Sequence, residues 1–201
     1  MDCDVCHRPK PACVCDRLVT LETTRRVLIL QHPQEKDALL GTAQLLEAML
    51  PKAKVVIGLS WPNFSAALGE EHADPKKWAV LFPDKDHPGN RVVDRRGNAM
   101  DPSSLEGIIV LDGTWSKAKT LWWRNPWLVK MNRMSLAPGK PSIYGKLRAE
   151  PRRELVSTLE SASAALTLAG ESPDVQKNLE RVFRTLVQRV RDAKLIPSKA
   201  G

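Results

Sequence analysis

The sequence predicts an α/β protein with an open, mostly parallel sheet, helices on both faces of that sheet, and a small zinc knuckle at the N-terminus. Short runs of consecutive aliphatic residues alternate with helical segments, as in parallel sheets whose strands are buried on both faces. All four cysteines lie within the first fifteen residues. At 201 residues, 42% of them hydrophobic, the chain suffices for one sizeable domain with a small appendage.

The cysteines Cys3, Cys6, Cys13 and Cys15 form a C-x2-C pair and a C-x-C pair, separated by six residues. The N-terminus lacks the basic start and apolar stretch of a signal peptide, so we expect a cytoplasmic protein in which disulfides are disfavoured. Four thiolates supply the tetrahedral shell of a structural Zn²⁺, and we assign this knuckle to residues 1–22. The alternative is a set of reduced thiols without a metal.

Aliphatic runs predict the strands of the sheet. Residues 27–30, 53–59, 78–82 and 108–111 are expected to be buried strands, and residues 133–136 a short fifth one. Several of these runs end in polar residues. Because open α/β sheets bind ligands at the carboxyl ends of their strands, we expect the functional site at that edge.

The segments between the strands predict helices and turns. Residues 42–50 are expected to be a helix, and residues 157–169 another, whose Ser157 and Glu160 have the spacing of a capping box. The last helix, 173–194, has an apolar stripe at helical spacing. Two intervening segments are expected to be a loop with a short helix, at 63–77, and a polar stretch of turns, at 85–102.

The strand at 108–111 leads directly into Asp112-Gly113-Thr114-Trp115, followed by a segment of helical composition. Two interpretations stay open at this level. Asp112 is either the N-cap of the following helix or a carboxylate of a ligand site. The nearby Trp122, Trp123 and Trp127 are expected to pack in the core, as most tryptophans do.

A net charge of +8 indicates a polyanionic partner, since a basic protein gains affinity by releasing counterions from phosphates. On the last helix, cations lie opposite the apolar stripe, so we expect them to contact phosphates; the alternative is a solvated face. No run of 18 apolar residues is present, so no membrane span is expected.

Several motifs together resemble the DTW-domain proteins, which are tRNA-uridine aminocarboxypropyltransferases. The resemblance covers nearly the whole chain and departs from the family pattern only at Gly41 and after Glu160. Besides the cysteine cluster, the matching motifs are Gln31-His32-Pro33-x-Glu35, Gly41-Thr42-Ala43-x-Leu45-Leu46, Leu111-Asp112-Gly113-Thr114-Trp115-x-x-Ala118, Tyr144 with Leu147-Arg148, and Ser157-Thr158-Leu159-Glu160.

The resemblance implies a SPOUT-like catalytic domain over residues 23–201, with a C-terminal trefoil knot around S-adenosylmethionine. It also implies transfer of the 3-amino-3-carboxypropyl group from that donor to N3 of a tRNA uridine, with methylthioadenosine as co-product. Asp112 is then a general base or orients the uracil, Thr114 hydrogen-bonds the base or places Asp112, and Trp115 stacks on the uracil.

The resemblance also implies which residues bind the donor. The distribution of charge indicates which residues bind RNA. The expected donor-binding residues are Leu111, Gly113, Pro141, Ser142, Tyr144, Leu147, Ser157, Thr158 and Leu159. The expected RNA-binding residues are Arg25, Arg26, His32, Arg148, Lys177, Arg181, Arg184 and Arg191.

Two rival functions stay open at the level of sequence. An RNA methyltransferase of the same fold would use the same donor and differ only in the carbon that faces the nucleophile. A zinc-stabilised RNA-binding module without catalysis would explain the cysteines and the charge, but it would leave the motif at 112–115 without a role. The sequence also leaves the number of assembled chains open.

Overall fold

Six strands form one sheet in the computed structural model, which describes residues 2–83, 89–137, 141–147 and 156–195. The strand order is β2-β1-β5-β3-β6-β4, and every pair is parallel except β4 with β6. The predicted mostly parallel sheet is therefore confirmed. The strands are β1 (Arg26–Gln31), β2 (Ala53–Ile57), β3 (Trp78–Leu81), β4 (Arg91–Val93), β5 (Gly107–Asp112) and β6 (Asn132–Ser135).

Helices cover both faces of the sheet, as the aliphatic runs predicted. On β1, Val27 and Ile29 pack toward one face while Leu28 and Leu30 pack toward the other, because successive side chains of a strand alternate. The first face carries α1 (Ala43–Met49), α4 (Thr158–Leu168) and α5 (Pro173–Asp192), and the second carries α2 (Phe64–Leu68) and α3 (Trp115–Arg124). The trefoil knot and the SPOUT relation stay predictions.

Three expectations about burial and strands are wrong. Strand β2 is half-exposed at the sheet edge, where β1 is its sole strand neighbour, and Ile57 is 46% exposed. Strand β4 lies within the stretch expected to form turns. Its three residues are too few to show a period, and it is held at the opposite edge by antiparallel pairing with β6. The side chain of Trp123 is 73% exposed rather than packed in the core.

Local signals at the helix ends are confirmed. The Ser157 side chain accepts a hydrogen bond from the Glu160 backbone, and the Glu160 side chain accepts one from the Ser157 backbone, which completes the capping box.

All seven residues of the apolar stripe of α5 are buried: Val175, Leu179, Val182, Phe183, Leu186, Val187 and Val190. Among the described residues, no helix is both long and apolar enough to cross a membrane.

The cysteine-rich segment packs against α5 instead of standing apart from the core. Ala12 and Val14, which lie between and beside the cysteines, are fully buried in the same core as α4 and α5. The Arg189 guanidinium on α5 donates to both carboxylate oxygens of Asp16, at 2.7 and 2.8 Å, and to the backbone oxygen of Cys13. The cysteine-rich segment is thus joined to the rest of the fold by apolar contact and by a bidentate ion pair.

Candidate active site

Asp112, the last residue of β5, lies at the centre of the candidate site. Its side chain is buried, at 7% exposure, so its oxygens require donors from the protein. Oδ2 accepts a hydrogen bond from Gln31 Nε2 at 2.8 Å, and Oδ1 accepts one from Thr158 Oγ1. Gln31 ends β1 directly opposite Asp112, and Thr158 begins α4. Three elements therefore meet at one carboxylate.

The structure excludes one of the two interpretations of Asp112, and its place in a ligand site stays a prediction. The N-cap of α3 is Thr114, whose Oγ1 lies 3.3 Å from Ser116 Oγ, so the interpretation of Asp112 as the N-cap is wrong. Gly113, which lies between Asp112 and Thr114, allows the chain to turn tightly from β5 into α3. A Cβ built at this position would lie 2.8 Å from Lys117 Cβ, closer than real Cβ atoms approach.

Two further hydrogen bonds hold the residues and elements that surround Asp112 in place. Gln44 on α1 donates from Nε2 to Gln31 Oε1 at 3.3 Å, so the amide that holds Asp112 is itself oriented. The backbone N–H of Leu159 donates to Thr42 Oγ1 at 3.2 Å, and both of these residues are buried. The starts of α1 and α4 are thereby fixed to each other beside the ends of β1 and β5.

Glu160 connects the segment 141–147 to the start of α4. In addition to its role in the capping box, its Oε2 accepts a hydrogen bond from Ser142 Oγ and its Oε1 accepts one from the Ile143 backbone N–H, each at 2.8 Å. The sequence pattern revealed the cap but not this second role, because nothing local links residues seventeen positions apart. The pairing brings Ser142 to the same side of the molecule as Ser157 and Thr158.

Of the residues expected to bind the donor, Thr158 contacts Asp112, Leu111 and Gly113 flank it in sequence, and Glu160 links Ser142 to Ser157. Leu111, Gly113, Ser142, Leu147 and Thr158 are half-buried, Ser157 and Leu159 are buried, and Pro141 is exposed.

Tyr144 occupies a different environment from the other residues of this set. Its ring packs edge-to-face on Phe183 with centroids 4.9 Å apart, and its hydroxyl donates to the backbone oxygen of Leu40 at 3.0 Å. The side chain is 2% exposed. Its ring thus supports the segment 141–147 from within the core.

His32 lies beside this region, next to an ion pair that sequence reasoning missed. Lys117 Nζ lies 2.8 Å from Glu35 Oε1, and both side chains are largely buried. Burial, together with the positive charge of Lys117, lowers the pKa of His32, so its imidazole is neutral at pH 7. Its Nδ1 accepts from the Gln34 backbone N–H at 3.3 Å, which leaves Nε2 to carry the proton.

The four cysteines form a site whose dimensions fit a metal ion. Their Sγ atoms all lie within 4.8 Å of one another, and those of Cys3 and Cys15 are 3.9 Å apart. A tetrahedral Zn²⁺ with bonds of ~2.3 Å to sulfur requires sulfurs about 3.8 Å apart. Backbone N–H groups of Cys6 and Val5 lower the pKa of the Cys3 thiol to about 6, whereas burial and the neighbouring thiols raise the pKa of Cys15, so the distances between the sulfurs carry the prediction of a metal.

Six of the eight residues expected to bind RNA fall into two groups. On α5, Lys177, Arg181, Arg184 and Arg191 are all exposed. The first three line an open groove of about 720 Å³, to which Arg17 of the N-terminal segment also contributes.

Arg25 and Arg26 have acceptors within the protein. Arg25 donates to the Ser103 backbone oxygen at 2.7 Å, and Arg26 forms an ion pair with Glu70. Their contact with RNA stays a prediction, and Arg148 lies outside the described residues.

Comparisons with known proteins identify a family to which this chain is similar. The model of the DTW domain matches residues 1–191. Proteins named tRNA-uridine aminocarboxypropyltransferase 2 are 32% identical in Macaca fascicularis, 30% in Drosophila melanogaster and 29% in Mus musculus, each over 92% of this chain. The chain spans 62%, 72% and 62% of their respective lengths, less than two thirds in two of the three. No solved structure matches the chain significantly.

The cysteine geometry predicts one Zn²⁺ per chain in protein purified without chelator. Cys13→Ser removes one of four ligands, so it should release the metal and lower the melting temperature. Val5→Ser, at an exposed position of the same turn, is the matched control and should leave both unchanged. Metal analysis and thermal melts make the comparison. Full titration of all four thiols in metal-free, equally stable protein would contradict the prediction.

Proposed function

The chain belongs to the DTW-domain family, and on that premise we propose that it transfers the 3-amino-3-carboxypropyl group of S-adenosylmethionine to N3 of a uridine in tRNA. The observation that carries the proposal is the placement of Asp112, buried at the carboxyl end of a parallel strand and held by two side chains from other elements. Open α/β sheets bind their ligands at this edge. The relatives' name, tRNA-uridine aminocarboxypropyltransferase 2, supports the transfer of this group to a tRNA uridine, and the donor and the N3 position are our proposal.

The reaction is a substitution at carbon. The N3 lone pair of the uracil forms a bond to the γ-carbon of the methionyl group, while the bond from that carbon to sulfur breaks. The bonding electrons pass to sulfur and neutralise its sulfonium charge, so the leaving methylthioadenosine needs no proton. The proton of N3 must go to a base. The donor is intrinsically reactive, so the main work of the protein is to position the two reactants.

Asp112 is assigned to the uracil. The hydrogen bonds from Gln31 and Thr158 orient the carboxylate, which suits a group that must meet N3–H in one geometry. An ordinary aspartate, with a pKa of ~3.9, is a weak base toward so weak an acid as uracil N3. We therefore assign Asp112 to orienting the base and to accepting its proton late in the step, when bond formation at N3 has made that proton more acidic.

Thr114 and Trp115 are assigned to the same base. Thr114 caps α3 without a side-chain bond to the helix backbone, and it is exposed, so its hydroxyl is available to a uracil oxygen. Trp115 is half-buried at the first residue of α3, three residues after Asp112, and its ring offers a stacking face. Stacking of a base on an aromatic side chain contributes about 1–3 kcal/mol.

The donor is assigned to the region between β5, the segment 141–147 and the start of α4. Backbone groups at Leu111 and Gly113 border it on one side, and Ser157, Thr158 and Leu159 border it on the other. Glu160 supports this assignment, since it holds Ser142 and Ile143 against the start of α4. Tyr144 is assigned a supporting role there through its bond to Leu40.

The groove on α5 is assigned to tRNA phosphates. Lys177 pairs with Asp174 at 3.0 Å and Arg184 with Glu180 at 3.2 Å, but the cations of both pairs are more than 60% exposed. Exposed pairs contribute only about 0–1 kcal/mol, so a phosphate can replace the carboxylate at little cost. His32, being neutral, is assigned a hydrogen bond from Nε2 rather than a charge contact.

Transfer chemistry is tested by incubating bulk tRNA with the protein and S-adenosylmethionine. We expect nucleoside mass spectrometry to detect aminocarboxypropyluridine and the small-molecule fraction to contain methylthioadenosine. A reaction without the donor is the control. Methylated nucleoside with S-adenosylhomocysteine would show a methyltransferase instead. Binding of tRNA without donor binding or product would show an RNA-binding module.

Replacing Lys177, Arg181 and Arg184 with glutamine should weaken tRNA binding at every sequence. Each lost phosphate contact should flatten the slope of log affinity against log salt by roughly one unit. Arg95→Gln, which removes an exposed cation from the turn after β4, is the matched control and should keep the slope. Filter binding at several salt concentrations measures both. An unchanged slope in the triple variant would show that this side of α5 is only a solvated face.

A further inference from the structure

One face of α3 carries aromatic and basic side chains, and the proposed reaction gives a role only to the first of them, Trp115. Trp115, Lys119, Trp122 and Trp123 follow the spacing i, i+4, i+7 and i+8, which places them along one side of the helix. The apolar members of such a face ordinarily pack against the sheet. Here they border a cavity of about 400 Å³, which is within the size range of small-ligand sites.

The cavity has a firm aromatic wall. Trp122 stacks on Phe82, which follows β3, with ring centroids 4.2 Å apart and an interplanar angle of 30°. Arg133 and Ser135 of β6 line the side formed by the sheet. The cavity therefore lies at the carboxyl edge of the sheet, along α3 from Trp115.

Trp123 is the most exposed aromatic side chain of the described residues, at 73%. The ring borders the same cavity as the stacked Trp122, and this arrangement offers a ligand an aromatic surface on which to stack. Trp127, four residues on, shows the contrast. It is half-buried, and its Nε1 donates to the backbone oxygen of Trp61 at 3.1 Å.

The charged side chains at the rim of the cavity indicate which class of ligand it binds. Lys119 and Arg133 are both exposed, and among the described residues neither lies within ion-pair distance of a carboxylate. Two exposed cations that have no carboxylate partner among the described residues, beside aromatic rings, match a nucleotide, whose base stacks and whose phosphate is an anion. S-adenosylmethionine matches less well, since its sulfonium is itself a cation and it has no phosphate.

We propose that this cavity binds a nucleotide of tRNA that neighbours the modified uridine, with its base stacked on Trp123 and its phosphate held by Lys119 and Arg133. The proposal rests on the proposed function, because it assumes that the uridine stacks on Trp115. The eight steps along the chain from Trp115 to Trp123 correspond to a rise of roughly 12 Å along the helix. The two rings therefore serve two different nucleotides of the same strand.

The test measures the dissociation constants for tRNA and for S-adenosylmethionine in Trp123 variants of the full chain. Trp123→Ala should weaken tRNA binding by about 5- to 140-fold, the range for loss of one stacked base, and leave donor binding unchanged. Trp123→Phe should restore much of the affinity, since it keeps an aromatic face. Val129→Ala, which shortens another exposed apolar side chain, is the control and should bind like the parent.

Paired charge variants test the phosphate contact separately. Arg133→Gln should flatten the salt dependence of tRNA binding by roughly one unit, whereas Arg124→Gln, which removes an exposed cation at the end of α3, should not. If the parent binds tRNA but Trp123→Ala binds equally well, or loses donor affinity instead, the cavity proposal is overturned and the proposed function stands. If the parent binds no tRNA, the proposed function itself fails.

Discussion

A buried carboxylate must find hydrogen-bond donors within the protein, and among the described residues Asp112 accepts from side chains of two other elements of the fold. Gln31 reaches it from the neighbouring strand, and Thr158 reaches it from a helix that follows 46 residues later in the chain. Loss of either donor leaves an oxygen of a buried charged group with one partner fewer, which costs more than a neutral hydrogen bond. Asp112 therefore joins the start of α4 to the carboxyl ends of β1 and β5, in addition to the core packing of α4 and the bond from the Leu159 N–H to Thr42.

Several further hydrogen bonds extend that constraint toward the N-terminus. Arg8, which is buried beside the cysteine cluster, donates to the backbone oxygens of Leu39 and Gly41 at 3.3 and 2.7 Å. Between these two, the Leu40 oxygen accepts from the Tyr144 hydroxyl. The cysteine-rich segment, through Arg8, therefore holds the loop at 39–41 before α1. That loop in turn holds the segment 141–147 through the Tyr144 hydroxyl. A structural metal would rigidify the site at a distance without taking part in the chemistry.

How much of this could be predicted from sequence depends on the range of the interaction involved. Aliphatic runs predicted β5 and its polar end at Asp112, because burial of a strand leaves a local pattern. Strand β4 was missed because its three residues depend on pairing with β6. The exposure of Trp123 was missed because the average behaviour of tryptophan is burial. The second role of Glu160 was missed because its partners in the segment 141–147 are distant in sequence.

Single-turnover transfer by Asp112→Asn, at saturating donor and tRNA, is the measurement that bears most directly on the assignment of Asp112. The substitution keeps the shape but removes the charge, so we expect the rate to fall on the order of 10²–10⁴-fold with both dissociation constants nearly unchanged. Thr158→Val, which removes one donor and keeps the carboxylate, should slow transfer less, and urea unfolding should show both variants folded. If Asp112→Asn reacts within a few-fold of the parent rate, the carboxylate only joins β1, β5 and α4, and its role in the reaction is refuted.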